Sequence, residues 1–329
     1  MGRGRGRRAP ASPGAMRTLQ IALGLIWIAD AALQCQPVMF SRAFVAEIIV
    51  PNVTGQPGFV AAPIHLIARL IEPRVALFNA FAIAIQLLIG LGLIRRSTVR
   101  PALLVSFGWA LSVWWIGEGL GGLLAGTAAP LTGAPGPVLL YVLAGLIVWP
   151  RSGAQAGRPA PTSLGARRAA RWGWAVLWLG SAALWLLPAN RAAGAVHDQI
   201  VGAPAGAGWL SSLESTLATA AAGHGLAIAI IAASVSGFIG LAVLLDRATR
   251  PALALAVIVA LVYFVAGQGV GGVLTGSGTD PGSGPLLILL AAALWVGAPG
   301  ASPGDAPVPG TARRRRHATP RLRTDTVIG

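Results

Sequence analysis

The 329-residue sequence contains no lysine, one cysteine and four histidines, and the shortages exclude several classes of protein. Only 11% of residues are charged, against roughly a quarter in a soluble domain. A single cysteine, Cys35, rules out an intrachain disulfide. Gln34 stands before it, where a lipoprotein cysteine needs a small residue, so Cys35 reads as an ordinary thiol near the membrane surface. The scattered histidines give no metal-ligand spacing, and His197-Asp198 has no third ligand beside it. No Gly-x-Ser-x-Gly elbow and no Walker loop occurs. Nothing in the chain marks it as an enzyme. Asp30 interrupts the first apolar run and no small-x-small site follows, which argues against a cleavable leader.

What is abundant is apolar. Hydrophobic residues make up 55% of the chain, and mean hydropathy is +0.70. They fall in eight segments, 18–34, 74–94, 101–122, 137–149, 172–187, 223–245, 251–273 and 284–296. A transmembrane helix needs ~20 such residues to cross ~30 Å of hydrocarbon. The fourth and eighth segments are short enough to be re-entrant, yet the expected fold is an all-α polytopic bundle of about eight spans.

The net charge of +15 rests on 25 basic residues, all arginine. Clustered arginine is the footprint of phosphate binding, but no folded basic domain carries it here. The arginines sit between apolar runs, as the positive-inside rule describes. With eight crossings, the amino terminus, 95–100, 151–171, 247–250 and the carboxyl tail share one face, which places both termini in the cytoplasm. No nucleic-acid partner is expected; the lipid bilayer is. Arginine without lysine, beside abundant alanine and glycine, points to a GC-rich bacterial source and its inner membrane.

Five regions follow. Residues 1–17 form a basic, disordered amino terminus, within which Met16 is an alternative start. Residues 18–150 form a first four-helix unit, 151–171 a Pro/Gly/Ala/Arg-rich cytoplasmic linker, 172–298 a second four-helix unit and 299–329 a disordered basic tail. The two units are alike. A shift of 150 pairs Arg100-Pro101-Ala102-Leu103 with Arg250-Pro251-Ala252-Leu253, and Gly117, Gly119, Gly121, Gly122 and Gly126 with Gly267, Gly269, Gly271, Gly272 and Gly276. A shift of 151 brings Trp27 to Trp178 and Pro37 to Pro188. This predicts a tandem 4+4 parallel repeat whose pseudo-twofold axis lies along the membrane normal. The long connector 36–73 faces outward and reads as short helices, 40–49 and 59–71, held on the membrane surface by their apolar faces.

Gly117-x-Gly119-x-x-Gly122 matches a dinucleotide fingerprint on paper, but no strand or βαβ unit surrounds it. The spacing of four in Gly117/Gly121, Gly122/Gly126, Gly267/Gly271 and Gly272/Gly276 instead predicts helix-packing faces. The other reading is a ligand approaching bare backbone. Trp114, Trp115, Trp149, Trp172 and Trp174 fall mostly towards predicted span ends, as in an aromatic belt.

Asp30 and Glu118 lie inside predicted spans, where an acid costs roughly 2.5–3.5 kcal/mol on insertion scales. Arg74, His65 and Arg69 are the expected partners, and with Gln34 these residues compose an outward-facing polar site. It is an interhelical ion pair that fixes the bundle, or a proton-relay or polar-substrate site. The shifts pair Asp30 with Ser181, Glu118 with Gln268 and Gln86 with Ser236, so a site belongs to the first unit.

Arg17-x6-Gly24-x5-Asp30, opening a four-helix unit with a long first connector, resembles the start of DoxX/DoxD-like bacterial membrane proteins. The resemblance covers residues 17–30 and the four-span plan, and the chain departs from it by duplication. It implies an accessory, non-catalytic role beside a quinone-linked membrane redox complex, and it assigns no catalytic residue. Two other readings stand beside it: a small-solute transporter or permease using the interface between the units, and a structural or assembly protein.

Overall fold

The computed structural model describes residues 13–150 and 164–296. The expected disorder of residues 1–12, of linker residues 151–163 and of the tail from 299 lies outside the described residues.

Every regular element among the described residues is helical. α1 is Pro13–Leu33, α2 Gly58–Ile71, α3 Val75–Ile94, α4 Val99–Ile116 and α5 Pro137–Ile147. The second half contributes α6 Leu164–Trp185, α7 Pro188–Arg191, α8 Ala195–Val201, α9 Gly208–Ala221, α10 Gly225–Leu244, α11 Thr249–Val262 and α12 Ser283–Val296. Five stretches are long and apolar enough to cross a membrane: Gly14–Leu33, Gly58–Ile94, Arg96–Ile116, Gly225–Leu244 and Thr249–Gly267. α5 and α12 have 11 and 14 residues. At 1.5 Å per residue they cover only ~16 and ~21 Å.

Two expected boundaries move. α1 and α6 begin at Pro13 and Leu164, so Arg17, Arg167, Arg168 and Arg171 are helical and not part of unstructured flanks. Placing arginines there has a use. The last carbonyls of a helix lack intrahelical donors and carry its negative dipole end. Arg17 Nη1 donates to Leu93 O, 2.9 Å away at the end of α3, and Gln20 Nε2 to Val148 O, 3.0 Å away beyond α5. At the same end of the bundle Arg171 pairs with Asp246, and the Arg250 guanidinium lies 5.7 Å from the centre of the Trp295 ring.

α1 packs chiefly on α3 and α6 on α10; α4 lies on α5 and α11 on α12. Across the halves α5 meets α12, α1 meets α12 and α5 meets α6. One core therefore runs through both halves, with Leu23, Trp27 and Tyr141 joined to Trp174, Trp178 and Leu286. Trp174, expected near a span end, is fully buried there. In α1 against α3, Gly24 faces Gly90: a Cβ on Gly24 would lie 2.8 Å from Gly90 O, and one on Gly90 2.7 Å from Gly24 O. That pair provides the backbone-to-backbone packing that small residues allow in membranes.

The glycine clusters expected to do this do something else. α4 stops at Ile116, and the chain then turns sharply, with φ of +52° at Gly119, +55° at Leu120, +63° at Gly121 and +70° at Gly122. Gly269, Val270, Gly271 and Gly272 repeat it at +52°, +57°, +69° and +63°. Residues four apart share a helical face only within a helix, so the predicted packing faces do not form. The glycines supply left-handed backbone and close approach: a Cβ on Gly121 would strike Pro135, and one on Gly271 would strike Pro281.

The connector after α1 is likewise corrected in part. Met39, Phe44, Val45, Ile49, Val60, Ile64, Ala68 and Ile71 form a second core within it, closed by Val75. Its apolar faces are thus turned into protein, although Phe59, Leu66 and Leu70 of α2 remain exposed.

Candidate functional site

The segment 127–136 before α5 is irregular, yet Ala128, Ala129, Pro130 and Leu131 are buried. Buried backbone outside a helix must find partners for its carbonyls. Asn190 Nδ2 donates to Ala128 O at 2.9 Å, Gln268 Nε2 to Leu131 O at 3.4 Å and the Trp114 indole N–H to Pro135 O at 2.7 Å. Two of the three donors come from the second half of the chain. The loop 273–282 crosses the other way: Gln36 Nε2 donates to Gly278 O at 3.3 Å. Each loop thus leans on the opposite half, and Asp280 is carried over the end of α1.

Beneath Asp280 lies a cavity of about 260 Å³. Asp30, Gln34, Gln86 and Glu118 line it with Asp280, and Trp27, Phe44, Phe78 and Trp109 give it an aromatic wall. Among the described residues, no lysine, arginine or histidine is on its lining. A wider cleft of about 520 Å³, bordered by glycines of both turns, shares Ile48, Gly117, Glu118, Thr279 and Asp280 with it. Glu118 and Asp280 therefore stand at the junction of a vestibule and an inner chamber.

The expected site is assembled only in part. Asp30, Gln34 and Glu118 come together. His65, Arg69 and Arg74 do not: all three are exposed and absent from the lining. α2 turns its Val60, Ile64, Ala68 and Ile71 face inward, which leaves His65 and Arg69 on the other side. In place of a cation, Tyr141 of α5 donates its hydroxyl to Asp30 Oδ2 at 2.5 Å.

Glu118 has two functions at its two oxygens. Oε1 accepts from the Val138 amide, 3.3 Å away in the first turn of α5, where the helix leaves its N–H groups unbonded. Gln268 Oε1 accepts from the Ser283 amide at 2.9 Å and the Ser283 hydroxyl at 3.1 Å, at the start of α12. A neutral amide thus suffices to cap, and capping does not account for the charge of Glu118. Its other oxygen, Oε2, is buried without a partner among the described residues.

The same holds around the chamber. Asp30 Oδ1, Gln34 Oε1, Gln86 Oε1, Trp27 Nε1 and Trp109 Nε1 are buried without partners among the described residues. Buried polar atoms are normally satisfied, because each left unpaired costs about 1–3 kcal/mol. All five atoms belong to residues on the lining of this one cavity. At Asp280 burial pushes the carboxyl above its ordinary range, against hydrogen bonds from Thr279 and the Gly282 amide that favour the ion.

The related positions of the second half are filled by side chains. The 151 and 150 shifts pair Gln34 with Trp185 and Val113 with Tyr263. Trp185 Nε1 donates to the Tyr263 hydroxyl at 2.8 Å, and both side chains are buried. About 20 Å³ remains beside Ser181 and Tyr263.

Sequence reasoning missed Tyr141 and Asp280. A signal for Tyr141 existed, since the chain has only two tyrosines and both lie in apolar segments. Asp280 gave none, because its loop reaches the site only through the crossing of the halves. Compared with known proteins, the chain matches no family model, no curated protein and no solved structure.

Proposed function

We propose that this chain is a multi-pass protein of a bacterial inner membrane, built as a tandem 4+4 repeat of eight spans with both termini cytoplasmic, and that it binds and passes a small solute. The matched turn geometry at residues 119–122 and 269–272 supports the repeat, as does the matched capping by Glu118 and Gln268. Under that reading the chamber faces outward, and the vestibule between the halves is its approach.

One observation carries the solute-binding reading. The chamber of the first half keeps two acids and open space where the second half has Ser181 and Gln268 and fills the space with Trp185 and Tyr263. A purely structural ion pair has no use for that difference, and no cation lines the chamber to complete one.

The second half also supplies the test. Gln34→Trp with Val113→Tyr installs the side chains that already pack at the related positions. Wild-type and doubly substituted protein, reconstituted in liposomes, are compared for uptake of a panel of small solutes. Flux of at least one solute is expected to fall about tenfold or more, the change that follows from losing ~1.4 kcal/mol of binding. Equal flux for every solute, with both proteins folded, removes the permease reading.

A second reading follows from the DoxX-like opening and the aromatic wall: an accessory subunit in which the chamber takes a quinone ring. It expects quinone to co-purify with the wild type and not with the doubly substituted protein, and Glu118→Gln to impair quinone-linked respiration at unchanged abundance.

A further inference from the structure

We infer that the occupant of the chamber is an organic monocation, a protonated amine or quaternary ammonium carried on a small apolar or aromatic body. This rests on the solute-binding reading and specifies its substrate class.

Charge is the first ground. Three carboxyl groups, Asp30, Glu118 and Asp280, line the chamber with no basic side chain among them. Asp280 and Glu118 stand together where the vestibule meets the chamber, and Asp30 borders the same chamber. Bringing like charges together in a poorly hydrated site is costly, and an opposite charge between them reverses the sign of that cost. Among the described residues, no such charge lines the chamber.

The unpartnered atoms are the second, independent ground. Asp30 is 2% exposed, Gln86 6% and Gln34 7%. Each belongs to the chamber lining and has a buried oxygen without a donor among the described residues, as does Glu118. Acceptors of this kind suit an N–H-bearing cation. Four such oxygens stand against two unpartnered indole N–H groups, of Trp27 and Trp109, a balance that favours a donor-bearing cation over an anion.

The wall is the third. Trp27, Phe44, Phe78 and Trp109 line the chamber beside the acids, and a cation over the face of such a ring is attracted by its quadrupole, most strongly by tryptophan. A bare metal ion would need clustered ligands, and no group of three His, Cys, Asp or Glu among the described residues is close enough to hold one. The volume of about 260 Å³ suits a small organic molecule, somewhat below the ~300–1,000 Å³ of typical ligand pockets.

The geometry also gives an order of contact. Glu118 and Asp280 at the junction meet the cation first, and Asp30 with its Tyr141 partner lies farther in. No bond is made or broken in the site; the cation is exchanged between vestibule and chamber.

The experiment uses the full chain in lipid nanodiscs and follows quenching of tryptophan fluorescence, since Trp27 and Trp109 line the chamber. Three probes of matched shape are titrated: 2-phenylethylammonium, 2-phenylethanol and phenylacetate. The ammonium is expected to bind saturably, and the alcohol and the carboxylate at least about tenfold more weakly. Asp30→Asn is expected to weaken the ammonium about tenfold while leaving the alcohol unchanged. Glu118→Gln, which retains the capping oxygen, is expected to act in the same direction and serves where Asp30→Asn does not fold. Equal binding of ammonium and alcohol, both abolished by Gln34→Trp with Val113→Tyr, overturns the cation assignment and leaves the solute-binding reading standing. Saturable binding of no probe, together with equal solute flux in wild type and the double variant, overturns both. Displacement of the ammonium by an equal concentration of sodium assigns the site to an inorganic cation and also overturns the proposal.

Discussion

At the scale of single residues, charge is placed where backbone can answer it. Arg17 donates to the end of α3, and Glu118 accepts from the start of α5 with one oxygen while the other is buried against Gly136. Asp280 is the acid with the clearest thermodynamic consequence. Its carboxyl is held above the ordinary 3.8 chiefly by burial, so the folded state prefers the proton more than the unfolded state does. Its contribution to stability is then fully present below pH 3.8 and is lost as pH rises through the higher folded value. Asp280→Asn should therefore melt with the wild type in acid and about 2 °C above it near neutrality, a small shift for a domain of this size. Melting curves in detergent across pH check this. A variant that is less stable than wild type at neutral pH would show that the carboxylate is compensated in the fold. Stabilisation together with weaker ammonium binding would be the trade that a site residue makes between fold and function.

At the scale of elements, the two glycine turns show how far a sequence signal reaches. That the glycines matter, and that they recur at a shift of 150, was legible in the chain. That they end helices was not, because glycines four apart suit a helix face and a run of left-handed turns equally well until the partner is known. The partners are Pro135 and Pro281, distant enough that no local pattern joins them to Gly121 and Gly271. Gly271→Ala combines a φ of +69° with a collision against Pro281 backbone. It should cost about 1–3 kcal/mol, as overpacking and a strained φ do. Gly108→Ala, in the exposed face of α4 with nothing within 4 Å, should be neutral or stabilising by up to about 1 kcal/mol. Thermal melts of the pair check the contrast, and equal effects would return the clusters to ordinary helix.

At the scale of the whole molecule, the halves are tied by crossed loops and by α5 against α12. The tandem reading makes a topological claim that is independent of the chamber. Reporter fusions at residue 158 and at the carboxyl end are expected to report the same, cytoplasmic face; opposite faces would end the eight-span plan. The crossing of loops also accounts for why the site could be read only in part. Asp30, Gln34 and Glu118 were found because acids and amides in apolar runs stand out by their cost. His65, Arg69 and Arg74 were chosen as partners because opposite charge at a similar depth is the simplest remedy, and depth along a helix says nothing of the face.

The sequence alone determined the helical, apolar character of the chain, the likeness of its halves and the placing of two acids in the first. Those properties follow from composition, from runs near the thickness of a bilayer and from residue identity at a fixed shift, none of which needs a neighbour in space. Tertiary structure alone decided that α2 turns its basic residues away, that Tyr141 meets Asp30, that Asp280 arrives from the other half and that Tyr263 closes one chamber while Val113 leaves its counterpart open. Each depends on which helix face meets which, a property fixed by packing between segments more than a hundred residues apart in the case of Tyr141 and Asp30.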